Sequence, residues 1–200
     1  MTDGEAIAAG MLGAAAAAGD ADRLREALAR AVGVFPAEEI DELLLQNHLF
    51  AGFPRTINAF YVWQAWAVGS GGRGRPRTEL AQAEMWRERG ERLCRLVYGD
   101  NFEALQIRLA RLHPELAEWT LVDGYGKVLS RPGPGTDARE MAAIGALIAL
   151  GERRQLGSHL QGALHVGIEP VVLAAASRAV AASWNRTPLV EDLLEQLVID

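Results

Sequence analysis

The sequence predicts an all-α protein, on three observations. Apolar residues recur at helical spacing in most segments, convincing strand alternation is almost absent, and glycines and prolines stand where the periodic segments end and begin. The first two helices are expected over 5–18 and 22–32, closed by Gly19 and Gly33. Pro36 opens the next, over 37–50, at a first-turn position where a missing N–H costs nothing. Helices over 55–68, 78–97 and 101–112 follow. The last four are expected over 138–150 and 153–166, closed by Gly151 and Gly167, then over 170–184, opened by Pro170, and 188–198.

Two stretches interrupt this pattern. Residues 69–77, Gly-Ser-Gly-Gly-Arg-Gly-Arg-Pro-Arg, read as a flexible basic linker. Residues 123–136, from Asp123 to Thr136, read as a turn-rich connection with room for a short extended piece. Neither is a phosphate-binding loop: neither follows a clear strand or ends in Gly-Lys-Ser/Thr.

Composition narrows the function. Half of the 200 residues are hydrophobic and 23% are charged, which suits a folded chain with a core of its own. A net charge of −6 and a pI near 5.3 argue against nucleic acid, which calls for a clustered basic surface, and against anionic membranes. No apolar run approaches the roughly 20 residues of a bilayer-spanning helix. The Ala-rich run Ala14–Ala18 follows Asp3 and Glu5 without a preceding Lys or Arg, so it reads as a helix and not as a signal peptide. Cys94 is the only cysteine, which excludes an intramolecular disulfide and a CxxC pair and points to a reducing, cytoplasmic compartment.

The chain also repeats itself. Gly13 to Gly19 with Leu24 matches Gly145 to Gly151 with Leu156 at an offset of 132. After a two-residue slip, an offset of 134 pairs Gly33 with Gly167, Pro36 with Pro170 and Pro54 with Pro188. The matched positions are breakers and small residues, so a pattern of helix lengths and turns is duplicated.

The stretch Gly124 to Gly133, then Arg139-Glu140, then Ala146 to Gly151, then Gln155 to Leu164 and Gly167, resembles the core of carboxymuconolactone decarboxylases. Residues 37–60, with Ala51-Gly-Phe-Pro54 and Asn58-Ala-Phe60, resemble the second half of the same unit. The resemblance implies an alkylhydroperoxidase D-like helical bundle in duplicated, pseudo-dimeric form. It implies a half-unit over 1–68, the linker 69–77 and a complete unit over 78–200. Family members with one unit per chain form dimers that associate into trimeric rings, so a homo-oligomer, a trimer foremost, is implied here. The apolar surface around Phe60, Trp63 and Trp66 would then form its contact. Spacings of three or four make these aromatics equally suited to a core.

The superfamily's peroxidases carry the pattern E-x11-C-x2-C-x3-H. Counted from Glu140, it places Glu152 and Gln155 at the cysteine positions and His159 at the histidine. The ends of the proton relay are kept and the thiols are gone, which excludes thiol peroxidase chemistry. Glu152, Gln155 and His159 fall at i, i+3 and i+7, one helix face, and a turn at Gly151 can fold Glu140 back toward it. A carboxylate beside an imidazole orients it for general acid or base work.

The resemblance therefore implies a lyase that needs no metal or organic cofactor and acts on a small carboxylated lactone or enolisable acid. His159 would be its proton shuttle and Glu140 the orienting partner, with Glu152, Gln155, Glu42 and His48 binding substrate. Two bland readings stand beside it: His159 as a structural histidine bonded to a glutamate, and the whole chain as a non-catalytic oligomeric or small-molecule-binding scaffold. His113 and His165 read as helix-end residues. No His-x3-His or similar ligand spacing marks a metal site. Under duplication, Glu140 and His159 correspond to Ala8 and Ala27, and Glu42 and His48 to Ala176 and Ala182. The losses are complementary, which predicts one composite site drawn from both halves.

Overall fold

A computed structural model describes residues 1–70 and 83–197. In chain order its α-helices are α1 (Asp3–Ala18), α2 (Ala21–Ala31), α3 (Ala37–Gln46), α4 (His48–Ser70), α5 (Ala83–Tyr98), α6 (Phe102–Leu112), α7 (Pro114–Trp119), α8 (Thr136–Leu150), α9 (Arg153–His165), α10 (Pro170–Ser183) and α11 (Thr187–Leu197). A 3-10 turn, Gly99–Asn101, precedes α6, and a π-helix, Thr120–Leu129, follows α7. The described residues contain no strand, and none of their helices is long and apolar enough to cross a membrane. Most of the linker expected over 69–77 lies outside the described residues. The same holds for the expected helical start at 78–82 and for residue 198.

The chain divides into two compact units, Met1–Pro76 with Gly133–Asp200, and Arg77–Pro132. The first is built around α1 and α8, which are buried along most of their lengths. Their small residues make this possible. A Cβ added to Gly13 would stand 1.9 Å from the Ala142 carbonyl oxygen, and one on Gly145 would stand 1.8 Å from that of Gly10. Only hydrogen fits at these two positions, so the helix backbones meet directly. The two contacts exchange under the offset of 132, which carries Gly10 to Ala142 and Gly13 to Gly145.

Around this pair, α2, α3, α4, α9, α10 and α11 contribute Leu28, Ile40, Leu44, Trp63, Leu156, Leu160, Leu173 and Val190 to one hydrophobic core. The turns that fold α2 onto α1 and α9 onto α8 are glycine caps in the left-handed region, Gly19 at φ 72° and Gly151 at φ 77°. The C-terminal helices are tied by Arg178, whose Nε and Nη2 donate to the Glu191 carboxylate at 2.8 and 2.9 Å. That pairing holds the Glu191 carboxyl below the usual carboxylate range.

The expected helix over 37–50 is broken. α3 ends at Gln46, and α4 starts at His48 and kinks at Gly52 (φ 77°, ψ 168°), two residues before Pro54. Thr56 secures the kink by donating its hydroxyl to the Gly52 carbonyl at 3.2 Å and accepting from Asn47 Nδ2 at 3.5 Å. Trp63 is in the core and not on an oligomer surface: its indole N–H donates to Asp41 at 2.5 Å and its ring stacks with Trp66. Among the described side chains of α4, the large exposed apolar ones are Phe53, Ile57 and Tyr61, spaced by four.

The reading of 123–136 as a turn-rich connection holds for 130–135 and is corrected before it: Thr120–Leu129 is helical, and its Gly126 serves packing. A Cβ on Gly126 would lie 1.9 Å from the Trp86 carbonyl oxygen, and one on Gly90 would lie 2.0 Å from that of Leu121, so α5 and the π-helix touch backbone to backbone. Lys127 lies over the Trp86 ring at 5.1 Å and Ser130 Oγ donates to the Gly126 carbonyl. Cys94 is buried on α5. His113 caps α7, its Nδ1 accepting from the Glu115 N–H at 3.2 Å.

Candidate functional site

Most buried polar side chains of the first unit lie on α3, α8 and α9. α8 is buried from Ala138 through Ile148, so two successive residues of its early turns, Arg139 and Glu140, enter the core whatever their charge. The Gly151 turn then brings α9 back, and its buried face carries Leu156, His159, Leu160 and Ala163. The result is a bond across the hairpin: His159 Nδ1 stands 2.8 Å from Glu140 Oε2, both side chains being more than nine-tenths buried.

Geometry assigns the roles in this pair. A carboxylate accepts, so Nδ1–H of His159 donates to Glu140, and Nε2 becomes the nitrogen that takes or gives a proton. The tautomer and the ring plane are fixed together. Phe50 of α4 meets the imidazole edge-on, with ring centroids 5.5 Å apart and planes at 76°, and restrains the ring from the other half of the unit.

Arg139 forms the second layer. Its Nη2 donates to Glu42 Oε2 at 3.5 Å and its Nη1 to Gln46 Oε1 at 3.2 Å, and its own carbonyl accepts from Gln46 Nε2 at 2.9 Å. Glu42 and Gln46 sit one turn apart on α3 and so reach α8 together. Gly133, at φ 125°, packs against the Glu42 side chain; a Cβ there would come within 3.2 Å of Glu42 Cγ. Buried charges persist only when paired, and an interior holding Glu42, Arg139, Glu140 and His159 sacrifices apolar packing to keep them.

The structure thus joins Glu140 to His159 across α8 and α9, and Glu42 to Arg139, the residue before Glu140, across α3 and α8. Glu152 and Gln155 lie outside the cluster, exposed at the start of α9. His48 has a different environment: its Nδ1 is 2.7 Å from the Leu45 carbonyl oxygen and its ring stacks on Phe53 at 5.1 Å. The break at Asn47 explains this, because it turns Phe50 toward α9. Sequence reasoning passed over Phe50, Gln46 and Arg139 as site residues. Gln46 was open to discovery, standing one turn after Glu42; Phe50 was hidden by the break, which no glycine or proline at 46–48 announces.

Among the described residues no group of three or more His, Cys, Asp or Glu side chains is placed to hold a metal ion. Two cavities of the first unit lie elsewhere. One, of about 570 Å3, is apolar and walled by Leu164, Leu173 and Leu194. The other, of about 390 Å3, holds Arg23, Arg30 and Trp184. Neither the known protein-family models nor the curated proteins include a match to this chain.

Proposed function

We propose that the first unit is a cofactor-independent acid–base site of the carboxymuconolactone decarboxylase type, acting on a small carboxylated lactone or a related enolisable acid. The observation that carries this reading is the 2.8 Å bond between Glu140 and His159, buried and backed by the Arg139–Glu42 pair. Loss of CO2 from such a substrate breaks a carbon–carbon bond and leaves the electron pair in a dienolate. Protonated His159 delivers a proton from Nε2 to the carbon terminus of the dienolate, and the imidazole regains a proton from solvent. Glu140 stabilises the imidazolium and holds its orientation. The correspondence of α1 with α8 and α2 with α9, including the exchanged glycine contacts, supports a duplicated origin.

The test is incubation with a carboxylated γ-lactone in deuterated water, following CO2 release and deuterium incorporation at the product carbon. Turnover is expected for the natural sequence and its loss for His159→Gln. Turnover that survives in the variant removes the histidine from the reaction and ends this reading.

A second reading, the non-catalytic oligomeric scaffold, draws on the exposed apolar row Phe53, Ile57 and Tyr61. It predicts a stable oligomer, a trimer by the family resemblance, that Ile57→Glu dissociates in light scattering. A monomeric natural chain counts against it.

A further inference from the structure

One cavity of the first unit carries charged walls, and two of its residues correspond in sequence to His159 and Phe50. The offset of 132 carries Ala27 to His159, and the offset of 134 carries Trp184 to Phe50. Ala27 and Trp184 line one cavity of about 390 Å3, with Arg23, Glu26, Arg30 and Ser183. Where one half buries an imidazole beneath an aromatic ring, the other has an alanine methyl, and open space lies beside it. Met11 and Ala15 of α1 make the apolar floor.

Two guanidinium groups, Arg23 and Arg30, line the cavity with the carboxylate of Glu26, and the charge of Arg23 is also met by Asp20. Arg23 is preorganised: its Nη1 donates to the Ser183 carbonyl, and its guanidinium carbon lies 4.3 Å from the centroid of the Trp184 ring. Asp20, at 3.6 Å from Arg23 Nε, fixes it from the other side. Arg30, two turns further along α2, has no carboxylate partner among the described residues and is exposed at the mouth. An apolar floor, a fixed guanidinium stacked on an indole and an unpaired guanidinium beside them define a ligand with a planar apolar body and one carboxylate. The volume falls in the range of small-molecule sites.

We propose that this cavity binds a small planar organic carboxylate, as a site separate from the Glu140–His159 pair. The carboxylate lies between Arg30 and Arg23, and the body rests on Met11, Ala15 and Ala27. The proposal shares no side chain with the acid–base reading and survives its failure.

Calorimetric titration of the whole protein with benzoate, and in parallel with inorganic phosphate, tests it. Benzoate is expected to bind with a dissociation constant at or below about 1 mM. Arg30→Ala, at an exposed position, is expected to weaken it about tenfold or more. Ala27→Leu is expected to block the cavity, while His159→Gln leaves the affinity unchanged. An absence of benzoate binding, an affinity indifferent to Arg30→Ala, or a loss through His159→Gln overturns the proposal. So does phosphate binding as tightly as benzoate, since the apolar floor would then contribute nothing.

Discussion

The ring of Phe50, from the first half of the chain, meets the ring of His159, from the second, at 5.5 Å and nearly at right angles. Together with the bond from His159 to Glu140, this contact holds the imidazole from two helices. Phe50→Ala is therefore expected to loosen the histidine without removing its hydrogen bond. It should cost about 3 kcal/mol of stability or somewhat less, since Phe50 is only partly buried. In a heteronuclear NMR spectrum the His159 ring resonances are expected to broaden while the Nδ1–H signal persists. Unchanged ring resonances would mean that Phe50 does not position the imidazole.

The Arg139–Glu42 pair links α8 to α3 across 97 residues of sequence. Removing one member of a buried ion pair costs up to about 3–5 kcal/mol, and here Arg139 keeps its bond to Gln46. Glu42→Ala is expected to lower stability by an amount below the top of that range in urea denaturation. Glu42→Gln, which keeps an oxygen toward Arg139 Nη2, is expected to lose less. Equal losses from both substitutions would show that packing, and not the charge, is what Glu42 supplies.

Helix identity and most helix ends in the first unit are legible in the sequence, because local chemistry decides them. Gly19 and Gly151 take the left-handed conformation that closes a helix, and Pro170 occupies a first turn. The π-helix is not legible. Gly124 and Gly126 bear the same letters as a turn, and what makes Gly126 helical is the Trp86 backbone lying against it, a tertiary fact. The Glu140–His159 bond is legible from spacing, since a glycine turn and the helical period together bring the two residues face to face. Arg139's link to Glu42 depends on how α3 crosses α8, which no local pattern encodes. The exposure of Glu152 and Gln155 follows from their place at the start of α9, where helical phase alone does not determine depth.

The contact of α1 with α8 gives a steric prediction. Gly13→Ala and Gly145→Ala each set a methyl carbon within 2 Å of a backbone oxygen, which no rotamer change relieves. The helices must separate. Each substitution is expected to cost at least the upper part of the about 1–3 kcal/mol typical of overpacking. Gly4→Ala, on the same helix but with nothing nearer than Thr2 Oγ1 at 4.0 Å, is the control. It is expected to raise stability by up to about 1 kcal/mol, because alanine loses less backbone freedom in a helix. Melting temperatures that move the same way for Gly4 and Gly13 variants would contradict the close contact.

The Arg178–Glu191 pair gives the molecule an acid-dependent tie between α10 and α11. Hydrogen bonding from Arg178 holds the folded-state carboxyl of Glu191 below its ordinary value. The unfolded chain therefore binds that proton more readily. The stabilisation is fully present above the ordinary carboxylate range and is lost as the pH falls through the lowered folded value. Glu191→Gln is expected to melt below the natural sequence at pH 7, and the gap should close on acidification toward pH 3 or on addition of salt, since the pair faces solvent. Melting curves of the natural sequence and of the Glu191→Gln variant, collected from pH 7 to pH 3 at two salt concentrations, check this. A Glu191→Gln difference that holds constant across the whole range would show that Arg178 does not read the charge of Glu191.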